Sequence, residues 1–131
     1  MYENVFRPLT IGSVEVSNRV CRTAHGVNPT PLRPDDDPWD ARIEYYAARA
    51  RGGFGLAITG IQGVHPSSTT PRFKNAYDPG TVPAYQKMAD AVHEHGMRIF
   101  QQLWHGGNAA ITEFLPPGST MWSASDVANP R

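Results

Sequence analysis

The chain has one cysteine, Cys21, in 131 residues. An internal disulfide and a metal site made only of cysteines are therefore excluded. Net charge is also missing: Lys+Arg and Asp+Glu balance at 12 each. That argues against a nucleic-acid binder held by bulk charge. No basic run of five or more occurs, and the acidic run Asp35-Asp36-Asp37 is too short to act as a tail. No apolar stretch is long enough to span a bilayer. Polar residues, not a signal-peptide core, follow Met1. These absences lead to the expectation of a soluble cytoplasmic protein that binds neither nucleic acid nor membrane. Low-complexity tracts and internal repeats are missing too.

Proline and glycine, by contrast, are plentiful at 12 each. They gather between the periodic segments, in NPTPLRPDDDP, HPSSTTP, DPGTVP and LPPGST. Loops so punctuated often carry function. The length allows one domain with a real core.

The segment LTIGSVEVSNRV predicts a hairpin, with Ile11 and Val14 flanking a Gly12-Ser13 turn. A first buried strand is expected over Arg19–Ala24. A helix then follows, with Asp37 as N-cap and Pro38 at the first helical position. Trp39, Ile43, Tyr46, Ala47 and Ala50 recur at helical spacing as its apolar face. Arg49 and Arg51 complement the dipole at its end, and Gly52-Gly53 stop it. FGLAITG reads as a second buried strand. TVPAYQKMADAVHEHG reads as a second helix, with Thr81 as cap and an apolar face of Val82, Tyr85, Met88, Ala89 and Val92. MRIFQQLWHGG is the third strand. Beyond Gly107 the sequence predicts an irregular tail with no evident third helix. Buried strands alternating with helices mean parallel pairing through right-handed crossovers.

His25, His65 and His105 are spaced by 40 residues, each at or beyond the carboxyl end of a predicted strand. In a parallel α/β protein those ends share the face where ligands bind. Three readings are open: a three-histidine metal site, histidines that merely cap strands and loops, and a polar lining for an organic cofactor. The metal reading is weakly supported. The three histidines form no HxH or HxxxH pair, and His93 and His95 at i, i+2 do not face one way.

In the third strand, period-2 alternation places Phe100, Gln102 and Trp104 on one side and Gln101, Leu103 and His105 on the other. The Gln102 amide suits a heterocycle edge with adjacent C=O and N–H groups. Buried without such a partner it would cost on the order of 1–3 kcal/mol. Trp104 would extend a flat apolar wall on the same face. Gln102 in an interior network and Trp104 in a core is the other reading.

VFRPLTIG, VSNRVCRTAHG, YYAARARGGFGLAITG, VHP and AYQKMADAVHEHGMRIFQQLWHGG, in this order, resemble the old yellow enzyme family of FMN-dependent (β/α)8-barrel oxidoreductases. The likeness is closest to the longer branch that includes 2,4-dienoyl-CoA reductase and trimethylamine dehydrogenase. The resemblance implies that the backbone of Thr23-Ala24-His25 lies against the flavin ring. It implies that Ile61 touches the flavin through main-chain atoms and that Gln102 pairs with its pyrimidine edge. Gly26, Trp104 and His105 fall at the substrate pocket. Gly26 stands where some members carry a flavin-linking cysteine, so the FMN is expected to be non-covalent. Cys21, five residues earlier, is no substitute. NAD(P)H is the possible reductant, an amine-like compound an alternative donor, and an activated alkene a possible acceptor.

A complete barrel takes about 250 residues. Residues 1–131 are accordingly expected to form an incomplete FMN-binding barrel domain: an N-terminal β-hairpin and about three βα units. The family's phosphate site, tyrosine proton donor and substrate-holding His/Asn pair fall outside it. The expectation is a chain that is not self-sufficient, completed by a second chain or a homo-oligomer, with a small-molecule substrate. The alternatives are a barrel remnant without flavin and, less favoured, a metal-dependent hydrolase using His25 and His105.

Overall fold

The computed structural model describes residues 2–27, 37–68, 75–109, 115 and 117–127. Much of the proline-rich punctuation, including Asp35 and Asp36, lies outside these residues.

The chain opens with a 3-10 turn, Glu3–Phe6, and the predicted hairpin, strands β1 (Leu9–Ile11) and β2 (Val14–Val16). Pairing of Ile11 with Val14 leaves Gly12-Ser13 as a two-residue turn. Gly12 has φ of +61°, and no other residue type takes positive φ among the described residues. Glycine first and an ordinary residue second is the II′ pattern, whose twist matches paired strands.

Three parallel strands form the main sheet in the order β3 (Cys21–Arg22), β4 (Leu56–Gly63), β5 (Arg98–Trp104). Helices α1 (Pro38–Arg51) and α2 (Val82–His93) connect them. Both helices pack on one face of the sheet. Trp39, Tyr46 and Ala50 of α1 meet Ala57 of β4, Met88 and Val92 of α2, and Met97 in one buried cluster. The Asp37 carboxylate caps α1 by accepting from the Trp39 N–H at 2.9 Å. At its other end Arg51 pairs with Glu44, and Arg49 lies over the Tyr45 ring and bonds the Tyr45 carbonyl. The hairpin is tied beneath the sheet by Arg98, whose Nε donates to the Glu15 carbonyl at 3.0 Å. No helix among the described residues is long and apolar enough to cross a membrane. The described tail, 117–127, has no helix or strand.

Several expectations need correction. The first strand was expected over Arg19–Ala24, but its ladder covers only Cys21–Arg22. Side chains intervene at both ends: Asn18 Oδ1 accepts the Val20 N–H, and Arg22 takes the Thr23 carbonyl. Strand β4 runs on to Gly63, past the expected Gly60. Thr81 does not cap α2 with its side chain. Its hydroxyl donates instead to the Asp78 carbonyl at 2.7 Å, while Asp78 caps the 3-10 turn Pro79–Thr81. Val82, placed on the apolar face, is 61% exposed because it is the first residue of its helix.

Candidate functional site

Parallel pairing brings the carboxyl ends of β3, β4 and β5 to one edge of the sheet. Gln101 donates its amide to the Tyr85 hydroxyl on α2 at 3.1 Å. Ile99 and Gln101 therefore face the helices, and Phe100, Gln102 and Trp104 face the opposite side. Ile61 pairs with Gln102, and Gly63 with Trp104. The side-chain amide of Gln102 has no hydrogen-bond partner among the described residues. Its backbone N–H is held by the Thr59 hydroxyl at 3.2 Å.

The β4–β5 register shifts between Ile58 and Ile61, with one extra residue on β4. This bulge turns Ile61 toward the Gln102 side and Gln62 toward the helices. There Gln62 is fully buried. Its amide donates to the Gly60 and Ile61 carbonyls at 3.1 and 2.8 Å, and its oxygen accepts from the Tyr85 hydroxyl. Burial pushes Tyr85 up to about 12. At the bulge, Gly60 lies against the loop after β3. A Cβ there would stand 2.8 Å from the His25 carbonyl oxygen and 3.1 Å from Gly26 Cα.

That loop, Thr23-Ala24-His25-Gly26, is pinned from below by Arg22. This guanidinium is only 5% exposed. It donates to the carbonyls of Thr23 (3.2 Å), Ile58 (2.6 Å) and His25 (2.9 Å). The rings of Tyr45 and Tyr46 flank it at 5.3 and 5.1 Å. His25 bonds the Thr23 carbonyl through Nδ1 at 3.1 Å, which requires a proton there. Its Nε2 then accepts from the Tyr45 hydroxyl at 3.3 Å.

His65 and His105 belong to a different cluster. Gly107 donates its N–H to His105 Nδ1 at 3.0 Å, so His105 Nε2 carries the proton and donates to Ser67 Oγ at 2.9 Å. Ser67 in turn donates both its N–H and its hydroxyl to His65 Nδ1, at 3.2 and 2.9 Å. Trp122 stacks on His65 with centroids 4.5 Å apart. The histidines thus share an edge without converging: His25 is engaged by Tyr45, and a serine separates the other two. Among the described residues no three His, Cys, Asp or Glu side chains could hold one metal ion. A His25–His105 hydrolase centre finds no support in this arrangement.

Cys21 is exposed. Partial desolvation raises its pKa against the pull of Arg22, so it stays a thiol at neutral pH.

Arg22, Arg42, Gln62 and Ser67 escaped the sequence reading. A cation inside an apolar strand was a signal for Arg22. Arg42 stands three residues from Trp39 on the buried helix face, and its guanidinium lies 5.0 Å from the indole centroid. Burial, foremost, lowers its pKa. No signal marked Ser67.

Comparison with known proteins agrees with this architecture. The profile of the NADH:flavin oxidoreductase / NADH oxidase family matches residues 4–130. The flavin oxidoreductase hxnT of Emericella nidulans is 32% identical over 129 residues, covering 95% of this chain and 32% of that protein. The N,N-dimethylglycine/sarcosine dehydrogenase of Chromohalobacter salexigens is 32% identical over 110 residues, 81% of this chain and 15% of that one. The solved old yellow enzyme from Trypanosoma cruzi superposes with a TM-score of 0.80 at 26% identity, covering 97% of this chain and 36% of that one. The chain thus spans about a third or less of these relatives, and its hairpin and βα units are the N-terminal part of a (β/α)8 barrel. The chain belongs to the NADH:flavin oxidoreductase / NADH oxidase family.

Proposed function

We propose that this chain forms the ring-holding part of an FMN-dependent oxidoreductase of the old yellow enzyme type. The observation that carries the reading is Gln102. Its amide has no partner among the described residues, faces the ligand side of the sheet and stands beside Ile61. A flat heterocycle with adjacent C=O and N–H groups would satisfy it.

In this reading Gln102 fixes the flavin's pyrimidine edge, Ile61 meets it through the main chain, and the Thr23-Ala24-His25 backbone supports the ring. Gly26 offers no thiol for a covalent link. Trp104, on the Gln102 face, walls the substrate pocket. His105 stands at the pocket rim. When bound, FMN supplies the hydride chemistry, between a donor such as NAD(P)H or an amine and an acceptor such as an activated alkene. The protein's own part is orientation and exclusion of water. The similarity to a dimethylglycine/sarcosine dehydrogenase supports an amine donor, and the family's description, NADH:flavin oxidoreductase / NADH oxidase, supports a nicotinamide donor. The strands and helices that complete the barrel are expected to cover the outer edge of β5, whether they come from the same polypeptide, a second chain or another copy. The single cysteine favours a cytoplasmic setting.

The test is Gln102→Leu in the complete flavoprotein. FMN affinity should fall by roughly tenfold, as for one lost hydrogen bond in a desolvated site, with far-UV circular dichroism unchanged. Equal FMN occupancy in both proteins would remove Gln102 from the cofactor site. A protein that takes up no FMN at all would be a barrel remnant.

A further inference from the structure

We infer that Arg22 is a positioning residue for the flavin, one that turns two backbone N–H groups of the Thr23–Gly26 loop toward the cofactor. This rests on the FMN reading above. The starting point is an expensive arrangement. Arg22, only 5% exposed, ends the short strand β3. The ion pair of Arg51 with Glu44 is elsewhere, so Arg22 has no carboxylate partner among the described residues. An apolar side chain would fill this place at lower cost. What the cation obtains instead is three carbonyls and two aromatic faces.

Two of those carbonyls decide the matter. The Thr23 carbonyl belongs to the peptide unit joining Thr23 to Ala24, and the His25 carbonyl to the unit joining His25 to Gly26. All described peptide bonds are trans. In a trans unit the C=O and N–H point in opposite directions. With both carbonyls drawn inward to Arg22, the N–H groups of Ala24 and Gly26 point away from it. Neither group donates a hydrogen bond among the described residues, and Thr23, His25 and Gly26 are exposed. His25 Nδ1 also holds the Thr23 carbonyl, and the His25 carbonyl lies where a Cβ on Gly60 would stand 2.8 Å away. The Ile58 carbonyl completes the set by anchoring the guanidinium to β4. Lysine would do this less well, because it lacks a planar fork of donors.

Two aligned N–H donors are complementary to an electron-rich ring edge, and more so to a ring that has gained charge on reduction. Arg22 therefore favours the reduced flavin through the orientation of the loop.

The experiment compares wild type, Arg22→Lys and Arg22→Gln in the complete flavoprotein, with FMN as the probe. The readouts are Kd by fluorescence quenching, the visible spectrum and midpoint potential of the bound flavin, and folding by far-UV circular dichroism. Arg22→Gln should fold, bind FMN about tenfold more weakly, the size of one lost charge-assisted hydrogen bond, and show a lower midpoint potential. Arg22→Lys should fall between the two. Wild-type Kd, spectrum and potential in both variants would overturn the inference, leaving Gln102 unaffected. Failure of both variants to fold would also overturn it, since Arg22 would then serve the barrel alone. A wild-type protein that binds no FMN would overturn the flavin reading itself, and this inference with it.

Discussion

Tyr85 shows how a single side chain couples the helix layer to the ligand edge. Its ring meets Trp39 edge-on, with centroids 5.0 Å apart. Its hydroxyl donates to Gln62 and accepts from Gln101. Burial raises its pKa to about 12, so the neutral phenol is the form the fold favours. The folded value lies above the unfolded one, near 10. Its contribution is therefore complete below about pH 10 and lost as pH rises toward 12. Tyr85→Phe should be less stable than wild type at pH 8 and should show a shallower loss of stability between pH 10 and 12. Urea unfolding followed by tryptophan fluorescence measures both. The sequence placed Tyr85 on an apolar face, which holds for its ring. It gave no hint of Gln62, because the partner of a hydroxyl depends on which way a neighbouring strand turns. The partners of Arg22 and Ser67 were hidden for the same reason. Arg22 bonds Ile58, 36 residues away, and Ser67 bonds His105, 38 away.

At the scale of elements, both helices and all three strands were legible from periodicity. The apolar face of α1 at Trp39, Tyr46 and Ala50 is buried as expected. The hairpin turn was legible because only glycine enters its first position without strain. The bulge in β4 was not. Strict alternation carried on from Ile58 would misassign Ile61 and Gln62, since an extra residue reverses the faces. The bulge carries its own prediction. Gly60→Ala would force a Cβ to within 2.8 Å of the His25 carbonyl oxygen, a backbone atom that cannot step aside cheaply. We expect a loss of roughly 1–3 kcal/mol in stability, measured by denaturant unfolding. Weaker FMN binding should accompany it, because the displaced loop is the one proposed to support the ring.

The whole molecule presents one covered face and one open face. Helices α1 and α2 bury one side of the sheet. On the other side Phe100, Gln102 and Trp104 are half-buried only. Leu103 lies on the helix-facing side of β5, yet it is 64% exposed. No described element pairs with the outer edge of that strand. An unpaired edge beside an exposed leucine invites association. The 131-residue chain by itself should self-associate, and Leu103→Lys should shift it toward monomer in sedimentation velocity. A monomeric wild-type chain would show that the edge is already shielded. The shared edge of the three histidines was legible at this scale, since strand direction alone dictates it. Their separation into two clusters was not, because it depends on Ser67, outside every strand, which links His65 to His105, and on Tyr45, which engages His25.

The bulge makes β4 two half-strands joined at a swivel. Below Ile58 the strand answers to the core, through Ala57 against the helices. Above it, Ile61 and Gln62 have exchanged sides. Both halves stay fixed, the upper one because Gln62 is buried and bonded to Tyr85. In a lineage that changes substrate, the swivel lets substitutions fall on Ile61, on the Gln102 side, while Gly60 and Gln62 keep the strand packed.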